Sequence, residues 1–182
     1  MIPFIFKPRF KVMNIAMRYK LISHIKFRLT ATNQHGVHSP FVYSFVTKSL
    51  YQPPYYKTSK STAILLKAID HFAIKDVQLI GDNEEIKKQL SRKDISISDS
   101  TVTLICLESV SQRILDKYVL ENSEIRNGSI IYIPDIYRNK ERNDFWQSII
   151  KLEKVTVSMD MFYGGLLFFR KEQAKEEFKI RV

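Results

Sequence analysis

Glycine is scarce in this chain, and where it stands limits what the fold can do. Five occur in 182 residues, Gly36, Gly81, Gly128, Gly164 and Gly165, fewer than half of the roughly 7% of an average protein. Between Gly36 and Gly128 there is only Gly81. A phosphate-cradling loop or dinucleotide fingerprint needs several glycines within a few residues, because the backbone must approach the ligand closely and adopt positive φ. No such loop can be written here.

The periodicity describes an α/β chain. Residues 11 to 29 place Val12, Ile15, Ala16, Tyr19 and Ile22 at helical spacing, which predicts a basic amphipathic helix. Ser39-Pro40 is a strong helix start, a side-chain cap followed by a residue lacking only a donor that would be unpaired anyway. The repeat of Phe41, Phe45 and Val42, Val46 carries that helix to about residue 50, before Pro53-Pro54 forbids continuation. Thr58 or Ser59 caps a further helix with Ile64, Leu65, Ala68, Ile69 and Phe72 as its buried stripe. From residue 76 onward short apolar runs alternate with amphipathic segments. Strands are expected at 77–80, 95–97, 102–107 and 129–133, and helices at 84–90, 111–120 and 141–152. Two further runs, 155–161 and 166–169, flank Gly164-Gly165, which suggests a tight reversal or bulge and an antiparallel pair on a mostly parallel sheet. The fold class expected is a doubly wound α/β domain preceded by a basic helical extension.

Charge also divides the chain. Residues 1–69 hold eleven lysines and arginines and no acid, while the remaining residues hold 18 basic against 19 acidic groups. The whole excess of +10 therefore belongs to the N-terminal third. Such a segment suits an anionic partner: nucleic acid, a membrane surface or an acidic protein. It is equally compatible with a solvated basic face over a neutral domain, or with a helix whose apolar stripe docks on that domain. The single cysteine, Cys106, excludes an internal disulfide framework and any cysteine-based zinc site, and its apolar run reads as core. No stretch approaches the roughly 20 apolar residues of a transmembrane helix, and the N-terminus lacks the apolar segment of a signal peptide. The expected location is cytoplasmic.

Two long strings carry a resemblance. The run His35-Gly36-Val37-His38-Ser39-Pro40-Phe41-Val42, and the tail from Val155 to Phe162 continuing through Gly165-Leu166-Leu167-Phe168-Phe169-Arg170-Lys171-Glu172-Gln173-Ala174-Lys175, resemble a family of bacterial class I S-adenosylmethionine-dependent methyltransferases. A looser match, Ile130 to Tyr137 with Phe145-Trp146, looks like that family's fifth strand, acidic turn and following helix. The resemblance covers roughly residues 20–56 and 100–182. It implies a Rossmann-like sheet that binds S-adenosylmethionine. After its first strand such an enzyme has an acid and a glycine-rich turn for the methionine part of the cofactor, then an acid on the second strand for the ribose. Here the first strand reads Val77-Gln78-Leu79-Ile80-Gly81-Asp82-Asn83, with Gln78 in place of an acid and one glycine. Only about twenty residues separate it from the strand at Val102, room for one short helix and one short strand. The family's two helices and two strands do not fit.

Ligands of open α/β sheets lie beyond the carboxyl ends of strands. The residues there supply the candidates. Gly81, Asp82 and Glu108 are the candidate cofactor-binding set, with S-adenosylmethionine as the cofactor the resemblance implies. Asp82 suits a ribose or amino group, or else Asp82 or Asn83 caps the next helix; Glu108 is otherwise a solvated loop carboxylate. Asp135, best matched to the acidic turn, and His38 are the candidate catalytic pair. Asp135 can orient a substrate, share a divalent ion with another carboxylate, or cap the helix from residue 137. His38 can act as a base near neutral pH, or join His35 in fixing the turn into the next helix; a metal would need a third ligand that this segment lacks. Tyr51, Tyr55 and Tyr56 beside Pro53-Pro54 suit base stacking or plain packing. The expected division is 1–57, a basic extension, and 58–182, a shortened methyltransferase-type domain. Two functions follow: a methyltransferase-like protein with weakened or lost cofactor binding, acting if at all on a small-molecule substrate, or a non-catalytic module that holds an anionic partner.

Overall fold

The computed structural model describes residues 14–182. Seven strands, β1 (Asp76–Ile80), β2 (Ser96–Ile97), β3 (Leu104–Leu107), β4 (Ile130–Pro134), β5 (Val157–Asp160), β6 (Gly164–Phe168) and β7 (Glu176–Lys179), form one mixed sheet in the order β2-β1-β3-β4-β6-β5-β7. Only β6 runs against the others, pairing antiparallel with β4 and β5. β3 and β4 are buried along their whole length, as central strands covered on both faces must be, and so they read as unbroken apolar runs.

Helices cover both faces. On one lie α2 (Pro40–Phe45), α3 (Lys60–His71) and α4 (Glu84–Arg92), whose Val42, Phe45, Ile64, Leu65, Ile86 and Leu90 pack with Val77, Leu104, Cys106, Tyr132 and Phe168. On the other lie α5 (Gln112–Leu115) and α6 (Lys140–Ile149), where Leu115, Phe145, Trp146 and Ile149 meet Ile105, Leu107, Ile131, Ile133 and Leu167. α2 and α5 each continue into a wider turn, over Val46–Leu50 and Asp116–Leu120. Full burial of each such side chain contributes about 1.5–3 kcal/mol. Local chemistry sets the helix starts: Ser39, Ser59, Asn83, Ser111 and Asn139 each accept a first-turn N–H, satisfying a donor that has no partner within its helix. Cys106 is wholly buried, and burial pushes its thiol far above the ordinary range.

The segment between β1 and β3 holds one helix, α4, and the two-residue β2, the content its length allows. Because β2 and β3 lie on opposite sides of β1, residues 98–103 alone must cross over β1. Gln78 anchors that crossing by donating its amide to the Asp99 carbonyl.

Several expectations change in the tertiary structure. Gly164 and Gly165 lie inside β6 and not at the reversal. The reversal is made by residues 161–163, with Phe162 at φ 62° and its N–H on Asp160 Oδ1 at 2.9 Å. The glycines instead make room: a β-carbon at Gly164 would stand 2.1 Å from the Tyr132 hydroxyl, and one at Gly165 2.3 Å from Cζ3 of Trp146. β7, which is not among the strands expected from the periodicity, adds a strand beside β5. α1 (Ile15–Thr30) forms, but it seats on the domain through Phe27 and His24, whose rings meet Phe162 at 5.5 and 4.6 Å. The stripe expected to dock does not: Ile15, Ala16 and Ile22 are exposed and Tyr19 is half-buried, while Val12 falls outside the described residues. Among the described residues no helix is long and apolar enough to cross a membrane.

Candidate functional site

The carboxyl ends of β1, β3 and β4 lie at one edge of the sheet, because the three strands run parallel. Gly81 ends β1 at φ 118°, a left-handed conformation that favours glycine. The loop after β3 closes directly onto it. Ser109 donates its N–H to the Ile80 carbonyl at 3.0 Å, and a β-carbon at Gly81 would stand 2.7 Å from Ser109 Oγ and 2.9 Å from its nitrogen. The glycine is thus used for contact between two loops. Asp82 points outward and pairs with Lys87 at 2.5 Å, which holds its carboxyl below the usual range. It is not the helix cap; Asn83 is, accepting from the Ile86 N–H at 3.1 Å.

Glu108 and Asp135 are brought together by arginines. One Arg138 nitrogen lies 3.2 Å from Glu108 Oε1 and 3.3 Å from Asp135 Oδ2. Burial would lower the Arg138 pKa, but Glu108 and Asp135 outweigh it and raise the guanidinium above its ordinary value. Beneath it Arg142, almost fully buried, donates Nε to the Pro134 carbonyl at 2.7 Å and its other nitrogens to the carbonyls of Glu108 at 2.6 Å and Leu107 at 3.3 Å. Arg142 also approaches Glu108 Oε2 at 3.9 Å. Burial lowers the Arg142 pKa against the opposing pull of Glu108. Glu108 is therefore no solvated loop carboxylate: its side chain, about 10% exposed, lies against two guanidinium groups. Asp135 adopts φ 48°, donates its N–H to the Tyr163 carbonyl at 2.7 Å and accepts the Arg138 N–H at 2.8 Å. It does not cap a helix from residue 137, because α6 begins at Lys140 with Asn139 as its cap.

His38 lies elsewhere. Its neighbour Ser39 accepts from the Gln173 amide at 2.6 Å, and Phe41 packs on Phe168 at 4.9 Å. Phe168 pairs with Ile130, the first residue of β4, whereas Gly164 pairs with Pro134 at its end. His38 thus stands near the amino end of β4, away from Asp135. The turn around it is fixed by Asn33, whose side chain accepts the His35 N–H at 3.1 Å, and by Ser39 capping α2; both imidazoles point to solvent. Tyr51 and Tyr56 pack against the core, with the Tyr51 hydroxyl on the Arg181 carbonyl at 2.7 Å. Tyr55 remains exposed.

A cleft of about 550 Å³ opens on the sheet face beside the crossing, lined by Gln78, Ile80, Asp99, Lys117, Tyr118 and Glu124 among others. Gly81, Asp82, Glu108 and Asp135 do not line it. Among the described residues there is no group of three or more His, Cys, Asp or Glu side chains placed to hold a metal ion.

Arg138 and Arg142, which organise the strand ends, were not among the residues singled out in the sequence. The signal for Arg142 was present: it occupies the 142, 145, 146, 149 stripe that α6 buries, where a charge demands a partner. Arg138 leaves no such mark, because its role depends on two loops meeting. Comparison of the chain with protein-family models, curated proteins and solved structures finds no match.

Proposed function

We propose that this chain is a protein of class I methyltransferase type in which S-adenosylmethionine binding is weakened or lost. One observation carries the reading. At the end of β1, where the methionine part of the cofactor would lie against a glycine-rich turn, the β3 loop is already in contact, with Ser109 against Gly81. Two further contacts support it. Gln78, in the place of an acid, has its amide on Asp99, and the carboxylates of Glu108 and Asp135 are both paired with Arg138. On this reading the residues at the strand ends do not fit the cofactor. Calorimetric titration with S-adenosylmethionine and S-adenosylhomocysteine tests it: heats at background into the millimolar range are expected, and micromolar binding of either compound overturns the proposal.

A second reading is favoured by a separate observation, the concentration of all excess charge in the first third of the chain. In that reading the protein is a non-catalytic module whose N-terminal helices hold an anionic partner. Replacing Arg18, Lys20, Lys26 and Arg28 together with glutamine should abolish salt-dependent retention on polyanions; retention unchanged by the replacement rejects it.

A further inference from the structure

α1 presents an apolar face that nothing among the described residues covers. Ile15, Met17, Leu21, Ile22, Ile25 and Leu29 are between 50% and 85% exposed, although each would gain about 1.5–3 kcal/mol from full burial. At 100° per residue they fall within an arc of about 160°, opposite the buried Phe27 that seats the helix. Arg18 and Arg28 stand within the arc and Lys26 at its edge, and the helix carries no acid. A single exposed leucine is ordinary; six on one helix face mark an interaction surface.

The charge pattern selects the occupant. A second copy of the same helix would bring the Arg18, Lys26 and Arg28 sets of both chains together with no acid between them. A nucleic acid would satisfy the arginines but leave six aliphatic side chains in water, since they offer no ring for base stacking. An anionic bilayer surface accepts both features: aliphatic groups enter the acyl boundary while long basic side chains reach the headgroup phosphates. The helix, about 24 Å long at 1.5 Å per residue, seats on the domain through Phe27 and the half-buried His24 and leaves this face free. We infer that α1 is an interfacial helix that places the protein on anionic lipid membranes; this rests on the reading that the N-terminal third holds an anionic partner.

Co-sedimentation of the full chain tests it, with vesicles of equal parts phosphatidylglycerol and phosphatidylcholine against vesicles of phosphatidylcholine alone. Binding to the anionic vesicles only is expected. The triple variant Leu21→Gln, Ile25→Gln, Leu29→Gln keeps good helix formers at exposed positions and should keep the Trp146 fluorescence of the folded protein. It should bind the anionic vesicles more than about tenfold more weakly. Equal binding by that variant overturns the inference, since charge alone would then explain retention. Binding to heparin or duplex DNA without binding to vesicles also overturns it while leaving the anionic-partner reading intact; binding to none of these removes both. A dimer seen by light scattering and lost in the triple variant assigns the face to a second copy and likewise rejects a membrane.

Discussion

A β-carbon at Gly165 would stand 2.3 Å from the Trp146 ring, a contact with a fully buried side chain that has no room to withdraw. Gly165→Ala should therefore destabilise the protein by about 1–3 kcal/mol, measured by urea unfolding, and the cost should shrink when Trp146 is first replaced by leucine. A second residue sets a pH dependence. His71 is packed edge-on against Phe72 and Phe45, at ring distances of 4.8 and 5.3 Å. Burial, with Lys48 nearby, lowers its pKa in the folded protein. In the unfolded chain an imidazole protonates near 6.5, so below that pH the unfolded state binds the proton more readily and stability falls. The urea midpoint should accordingly drop between about pH 7 and pH 5, and His71→Gln should flatten that drop. At other positions the residue type hides its partner. Lys67 sits in the buried stripe of α3, where its ammonium donates to the Ser49 carbonyl at 2.9 Å, and no local pattern announces a carbonyl eighteen residues away.

Elements differ in how much of their stability is local. α3, α4 and α6 carry a cap and a 3.6-residue stripe, and the sequence places each within a few residues. β3 and β4 are as clear, being short apolar runs between polar turns. β7 is not: Glu176–Lys179 alternates in burial and holds its conformation by pairing with β5, a partner that only the fold supplies. The joint between α6 and the ends of β3 and β4 depends on one side chain. Arg142→Met would strip the Pro134, Leu107 and Glu108 carbonyls of a donor and leave Glu108 with only Arg138. A loss of about 3 kcal/mol is expected, read from thermal unfolding. Adding Glu108→Gln should recover part of it, because a neutral amide tolerates burial better than an uncompensated carboxylate. Glu108 itself was singled out in the sequence for its place at a strand end, but its locked ion pair could be read only once the two loops had met.

The molecule as a whole is stitched between its ends. The N–H of Thr32 donates to the Lys179 carbonyl at 2.8 Å, that of Arg181 to the Thr32 carbonyl at 2.9 Å, and Arg181 Nε to the Ala31 carbonyl at 2.7 Å. Val42, Phe45 and Val46 share one core with α3 and the sheet, so residues on both sides of position 57 are packed together. Unfolding followed by Trp146 fluorescence and by far-ultraviolet circular dichroism should give coincident urea midpoints; separated midpoints would show the N-terminal helices melting on their own. The sequence by itself determined the α/β class, the reversed strand near the C-terminus, the concentration of positive charge and the short passage between β1 and β3. Each of these is a matter of periodicity, composition or chain length, and needs no knowledge of neighbours. Tertiary structure alone decided that Ser109 lies against Gly81, that Glu108 and Asp135 share Arg138 while His38 lies near the other end of β4, and that α1 turns its apolar side outward. Those outcomes depend on which surfaces meet, and in a chain with one glycine between Gly36 and Gly128 the loop ends meet each other.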